Sequence, residues 1–396
     1  MPRKPRFFMK KIIAFFLGLI LFFLSAVGIH FFNSNGLKVE SKEFGTWINA
    51  YKDMSYEAIR LNLNKDTMPV MGSSEFQHGR KTDFHLRKVF KHKDIDLMLV
   101  GSAYTQSLYH ATLLASVEKD LKNRKAVLII SPSWFKKAGI KSNAFAAKFS
   151  ETQYVAMLEN PRISMDIKKH IAEETIKGLR KFPEMKSRVK RYNRLFLTKD
   201  AGIGDRMFYL GRKLFINEKD TVTVLTALKT TKIRKGLKAN LSKKSPDWTK
   251  LINKAASISN RKSGNNKFFM DHKFYENKIV PRMGKKKDSS LNDSYAVSPE
   301  YADLETFFKV CEETDIEANV IILPINGYWY DYTGFPREER EIVVTKIGDL
   351  AKKYNANVTN LFDYSYEEYF FEDTVHPSEK GWVILNEAIE QIYKKD

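Results

Sequence analysis

The sequence predicts an α/β protein: a doubly wound sheet of about five parallel strands flanked by helices. Three observations predict it. Short apolar runs recur at Met68–Gly72, Asp96–Gly101, Ala126–Ser131 and Asn319–Leu323, and such continuous runs suit strands buried on both faces. Stretches with helical spacing separate them, as parallel strands require. A fifth run, Ala356–Phe362, lies between two helical patterns.

A different apolar segment comes first. Arg3, Lys4, Arg6, Lys10 and Lys11 precede Ile12–Phe32, which contains no Asp, Glu, Lys or Arg. Its length of about 20 residues matches a membrane-spanning helix. The basic cluster on its amino side predicts a cytoplasmic start at residues 1–11, a span at 12–32 and an exported remainder at 33–396. A cleaved signal peptide is the competing reading, but its apolar core is shorter, and Ser25-Ala26-Val27 lies inside the run. His30, near the outer end, reads as a neutral imidazole at the interface. No later stretch is long and apolar enough to span again.

The formal net charge is +20, which favours polyanionic partners. For an exported domain this argues against nucleic acid and leaves anionic lipid headgroups and anionic cell-wall polymer. Cys311 is the single cysteine, so neither an intrachain disulfide nor a thiolate metal cluster can form. Its setting in Phe307–Glu312 reads as a helix carrying a buried structural thiol.

Along the exported domain, residues 37–63 read as a juxtamembrane arm and helix. Met68–Gly72 is the first strand, and Glu75–Phe90 has helix-compatible spacing. Asp96–Gly101 is the second strand, Thr105–Lys122 the crossover helix and Ala126–Ser131 the third strand. From about 143 to 262 no strongly apolar run appears; Pro161–Phe182 and Asp220–Leu237 have helical spacing with many Lys and Arg, so this is read as a helical insertion. Asn265–Asp293, with Lys285-Lys286-Lys287, reads as loop. The basic runs suit a solvated face as well as a binding surface. The sheet then resumes: helix Pro299–Thr314, strand Asn319–Leu323, aromatic loop Pro324–Tyr330, helix Pro336–Tyr354, strand Ala356–Phe362 and a closing helix Ser378–Lys394. There is no internal repeat.

Two stretches carry candidate chemistry. The first strand runs into Gly72-Ser73-Ser74-Glu75, and Asp373-Thr374-Val375-His376-Pro377 follows the fifth. Both fall at the carboxyl edge of the sheet, where α/β folds place their sites. A serine hydroxyl needs an adjacent base; His376 can accept the Ser74 proton, and Asp373, three residues earlier, can fix the imidazole tautomer. Oxyanion donors are the Ser74 N–H and Gly101. The plainer alternatives are that Ser74 caps the next helix and that Glu75 answers a helix dipole. His78, His85 and His92 recur every seven residues, and with no acidic set at metal-ligand spacing they read as surface or packing residues. No metal is expected.

The serine turn after strand one, the Gly after strand two and the Asp-x-x-His before the last helix resemble the SGNH/GDSL hydrolase pattern. More specifically, the chain resembles the DltD family, membrane-anchored proteins of the pathway that esterifies teichoic acids with D-alanine. The resemblance spans nearly the whole chain: the basic start, the single span, Gly72–Glu75, Ser131-Pro132-Ser133-Trp134-Phe135, Asn326–Gly334 and Asp373–Pro377. It selects Ser74 over Ser73. Two departures stand out: Gly-Asp-Ser-Leu is replaced by Gly-Ser-Ser-Glu, and the Gly-x-Asn-Asp block after strand three by Ser131–Trp134. Ser133 and Asn326 are therefore the candidates for the missing oxyanion donor.

The resemblance implies an SGNH-hydrolase-like fold and an extracytoplasmic D-alanyl transferase in which Ser74 carries the acyl group and His376, oriented by Asp373, activates a hydroxyl of a poly(glycerol phosphate) chain. Trp134, Phe135, Trp329 and Tyr330 are candidates to wall the site against water, or else packing residues. Implied partners are the polytopic acyltransferase of the same pathway (DltB-like), lipoteichoic acid and, less directly, the D-alanyl carrier protein; no cofactor is implied. Two other readings stay open: an esterase or thioesterase with the same triad, and a non-catalytic scaffold of the D-alanylation complex.

Overall fold

The computed structural model describes residues 5–233, 235–236 and 241–395. Arg3 and Lys4 of the basic cluster, and Leu237 at the end of an expected helix, lie outside them. The five apolar runs form β1 Met68–Gly72, β2 Leu97–Gly101, β3 Lys125–Ile130, β4 Glu317–Ile322 and β5 Asn357–Asn360. Every pairing is parallel, in the order β2-β1-β3-β4-β5. The register sets Gly72 opposite Gly101, and Ile130 opposite Ile322. From β1 the chain crosses to β2 and then returns to the far side of β1 for β3. The winding therefore reverses between β1 and β3, and a sheet of this order opens its crevice at the carboxyl edge there.

Among the described residues, the helices of eight residues or more are α1 Pro5–Leu37, α2 Ser107–Val117, α3 Glu151–Glu159, α4 Met165–Gly178, α5 Pro183–Asn193, α6 Ile203–Thr231, α7 Trp248–Ser263, α8 Glu300–Glu313, α9 Arg337–Lys353 and α10 Glu379–Lys394. Successive strand residues point to opposite faces, and both faces are apolar. Met71, Val100, Leu128 and Val320 pack beneath α2, α3, α4, α8 and α9. Val70, Leu99, Ile129 and Ile321 pack beneath α7 and α10. Burying each such side chain contributes about 1.5–3 kcal/mol.

The 143–262 segment is helical, with no strand among its described residues, and it covers both sheet faces. Tyr154 and Ile167 carry α3 and α4 onto one, while Ala255 carries α7 onto the other. Cys311 is buried on α8. Three local expectations change. The helix expected over Glu75–Phe90 is two short turns, Ser74–Gln77 and Leu86–Val89, separated where Gly79 takes φ +63°. The basic loop holds short helical turns between His272 and Lys286. The aromatic loop contains a helical turn, Gly327–Tyr332, capped by the Asn326 side chain.

α1 is long and apolar enough from Met9 to Leu37 to cross a bilayer, and it fits a single-pass anchor. His30, toward its carboxyl end, is not solitary: Nδ1 hydrogen-bonds Glu218 on α6.

Candidate active site

The site begins with the turn that ends β1. Glu75 folds its side chain back under this turn, where the carboxylate accepts the Ser73 N–H. Gly72 makes room for it, since a Cβ there would lie 2.1 Å from Glu75 Oε1. Burial pushes the Glu75 carboxyl up, against the pull of the Ser73 and Glu75 N–H groups. The Gly72 carbonyl accepts from His110 Nε2 at 2.8 Å and lies 2.8 Å from the Thr105 hydroxyl. The strand end is thus pinned by side chains, and Ser74 is left half-buried at the sheet edge. As first residue of its turn, its N–H lies outside the turn's own hydrogen bonds.

His110 donates as a neutral ring, because burial pushes its imidazole down from 6.5 to about 3. The unfolded chain takes up this proton near pH 6.5. Its contribution to stability is therefore complete above that value and is lost as pH falls toward 3. His110→Gln keeps a donor without the titration. The variant is expected to lose less stability on acidification, the slopes differing by about 1.4 kcal/mol per pH unit below pH 6; denaturant midpoints at pH 7 and 5 measure this.

The loop between Phe371 and Pro377 brings His376 to the turn. Asp373 Oδ1 accepts the N–H groups of Val375 and His376 at 2.8 and 2.7 Å, so the carboxylate organises its own loop. Its Oδ2 lies 2.7 Å from His376 Nδ1, and His376 Nε2 lies 2.7 Å from Ser74 Oγ. Burial pushes the Asp373 carboxyl up, but the His376 ring and the two N–H groups outweigh it and hold it below the usual range. A hydroxyl, an imidazole and an ionised carboxylate in series can pass a proton from Ser74 while stabilising the imidazolium that forms.

His78 joins this site, contrary to the surface or packing reading. Its ring stacks on His376 with centroids 3.5 Å apart and planes 4° from parallel. Its Nδ1 hydrogen-bonds Glu372. Burial pulls its imidazole down, yet the Glu372 hydrogen bond and charge outweigh this and the net displacement is upward. The seven-residue spacing misled, because no helix carries all three histidines. The useful signals were local: His78 lies four residues past Ser74, and Glu372 adjoins Asp373. His85 does pack, against Trp382 with centroids 4.3 Å apart, and His92 is exposed. His78, Asp373 and His376 also meet the spacing of a cation site. Both His376 nitrogens and Nδ1 of His78 are engaged with Ser74, Asp373 and Glu372, an arrangement suited to proton transfer. His78→Ala removes the ring stacked on His376; if His376 acts as a base, a rate loss of about 10²-fold is expected, and His78→Phe keeps a stacked ring and should recover most of it in the same kcat measurement.

Other expected site residues have contacts of their own. The Gly101 N–H already donates to Asp53 Oδ2 at 3.3 Å, so it is not a spare oxyanion donor. The lack of a Cβ at Gly101 instead lets β1 and β2 approach, since one would lie 2.3 Å from the Gly72 carbonyl oxygen. Asn326 is buried, accepting the Trp329 N–H and donating to the Phe268 carbonyl, both at 3.0 Å. Its amide caps a helical turn rather than facing Ser74. Ser133 is half-buried just past β3, with its hydroxyl 2.8 Å from that of Ser131. Trp134 and Phe135 belong to the core, Phe135 with its ring 4.6 Å from that of Tyr301. Trp329 packs edge-on against Phe268 at 5.2 Å, and the Tyr330 hydroxyl meets that of Tyr295 at 3.0 Å. Trp134 and Phe135 are buried, and Trp329 and Tyr330 are half-buried in ring contacts.

The DltD protein family model matches residues 42–394. The protein DltD of Bacillus subtilis is 30% identical over 99% of this chain and 98% of its own length. DltD of Staphylococcus aureus is 27% identical over 81% of this chain and 79% of its own, and that of Lacticaseibacillus rhamnosus 25% over 84% and 78%. With a family model spanning nearly all of the chain outside α1 and a relative aligned end to end, the chain belongs to the DltD family.

Proposed function

We propose that this protein transfers D-alanyl groups onto lipoteichoic acid on the outer face of the membrane, with Ser74 as nucleophile, His376 as base and Asp373 as its orienting carboxylate. The observation that carries this reading is the unbroken Ser74–His376–Asp373 relay, with 2.7 Å at each step. It stands where the sheet reverses its winding, in a chain of the family that the sequence resemblance ties to teichoic acid D-alanylation. In the first half-reaction Ser74 Oγ bonds to the acyl carbon while His376 takes its proton and passes it to the leaving atom of the donor. In the second, a glycerol hydroxyl of the polymer gives its proton to His376 and attacks the same carbon. The bond to Ser74 Oγ breaks and the nucleophile regains its proton. The Ser74 N–H is the first oxyanion donor and Ser133 the second candidate.

The net charge of +20 suits a polyphosphate acceptor. In this reading residues 1–11 are cytoplasmic, α1 is the anchor and 33–396 face outward. The donor is the membrane-embedded acyltransferase of the pathway, with the carrier protein upstream of it. The test supplies an activated D-alanyl donor with and without lipoteichoic acid. Polymer is expected to divert D-alanine from free acid to polymer ester; release of free D-alanine at the same rate in both, with no ester formed, would show a hydrolase instead.

A further inference from the structure

α6 carries an apolar stripe that nothing among the described residues covers. Ile203, Met207, Leu210 and Leu214 recur at helical spacing and are 81, 64, 56 and 65% exposed. Phe215 beside them is 55% exposed. Arg206 is the only charged residue among the exposed positions between 203 and 215. The opposite face of the same half-helix is bound to the domain, with Ile216 buried and Phe208 and Tyr209 packed on the core, and ion pairs flank them. Asp205 pairs with Arg191 and Arg194, Arg212 pairs with Glu151, and Lys213 pairs with Glu159. The stripe is therefore held facing outward by ion pairs behind it, and a patch of this size on an otherwise charged protein marks a contact surface.

Its position says what the contact is. α6 meets the outer end of α1 through Glu218, which hydrogen-bonds His30 and Asn33. One further pair follows along both helices: Gly36 lies against Leu225, whose Cδ2 would be 3.0 Å from an added Cβ. Contacts that advance together along the two chains make the helices run in the same sense. Residues 203–217 then project from the Glu218 contact toward the side on which α1 is apolar and bare, with Leu21 and Phe22 63 and 66% exposed. The stripe continues the surface of the anchor.

We propose that the amino-terminal half of α6 dips from the interface into the outer leaflet beside the anchor, with Ile203, Met207, Leu210, Leu214 and Phe215 among the lipid chains. Its bare apolar face can meet lipid while the face behind it stays packed and ion-paired on the domain. The domain thus has a second membrane contact beside the anchor, and its orientation on the surface is set rather than left to swivel on α1. The inference rests on α1 being the span and is independent of the acyl-transfer chemistry.

The test uses the full chain alone, reconstituted in phosphatidylcholine–phosphatidylglycerol vesicles. Cys311 is buried, so only introduced thiols take an environment-sensitive fluorophore. Probes go at Met207→Cys, at Leu21→Cys in the span and at Lys229→Cys, an exposed position in the carboxyl-terminal half of α6. Emission at 207 is expected to be blue-shifted and quenched by lipids spin-labelled near the glycerol, while the probe at 229 reports water. Adding Leu210→Asp and Leu214→Asp, at positions already exposed, should abolish quenching at 207 and leave the signal at 21 intact. Water-like emission at 207 with a quenched probe at 21 would overturn the inference and leave the anchor standing; loss of both would remove the anchor as well. Shielding at 207 that vanishes on dilution in lipid, or that needs a second membrane protein, would also overturn it, by assigning the stripe to another chain.

Discussion

Ser74→Ala is expected to eliminate D-alanine esters from the wall polymer and to lower acyl transfer by about 10⁶-fold. Only donors that polarise the acyl carbon would remain to act. The hydroxyl is half-buried, and its hydrogen bond in the site is to His376, so its loss should leave protein level, membrane insertion and partner binding as they were. A fluorophosphonate probe, which labels activated serines, should fail on the variant. Persistence of D-alanylation at the wild-type level would remove Ser74 as nucleophile and favour a scaffolding role.

Asp373→Asn should be nearly as severe, for a different reason. The carboxylate divides its work: Oδ1 receives two backbone N–H groups and Oδ2 faces His376 Nδ1. An amide keeps its oxygen on the backbone donors and turns its NH2 toward the ring. Nδ1 must then accept, the ring proton moves to Nε2, and Nε2 can no longer take the Ser74 proton. A wrong-tautomer imidazole of this kind lowers kcat by about 10⁴-fold while leaving the fold in place. Loss of kcat with little change in KM, and a circular-dichroism melt near that of the parent, would carry the assignment. A melt far below the parent would mean that the loop itself had come apart.

Much of this was readable in the residues. Apolar runs on both faces, such as Met68–Gly72 and Ala126–Ile130, left few options besides buried parallel strands. Position at the carboxyl edge then placed Ser74 and Asp373–His376 together. Contacts that depend on which side chain wins a buried position were not readable. Trp134 and Phe135 follow β3 as wall residues would, but the packing under α8 claimed them. Gly101 looked open to substrate, yet Asp53, in a short turn before the sheet, takes its N–H. His78 was hidden by a spacing that implied a helix, which Gly79 at φ +63° interrupts.

The Ser74–His376 hydrogen bond joins residues 302 positions apart. The serine emerges early in synthesis and its base close to the last helix. If the amino terminus stays cytoplasmic and the residues after α1 cross in chain order, as proposed, β1 and its turn can fold well before His376 arrives. Throughout that interval the hydroxyl has no proton acceptor of its own, and it meets acyl donors as an ordinary alcohol. In the proposed mechanism, chemical latency then follows from that separation along the chain: reactivity would switch on only when His376, just ahead of α10, reaches Ser74. A chain stalled before that point is inert rather than misdirected.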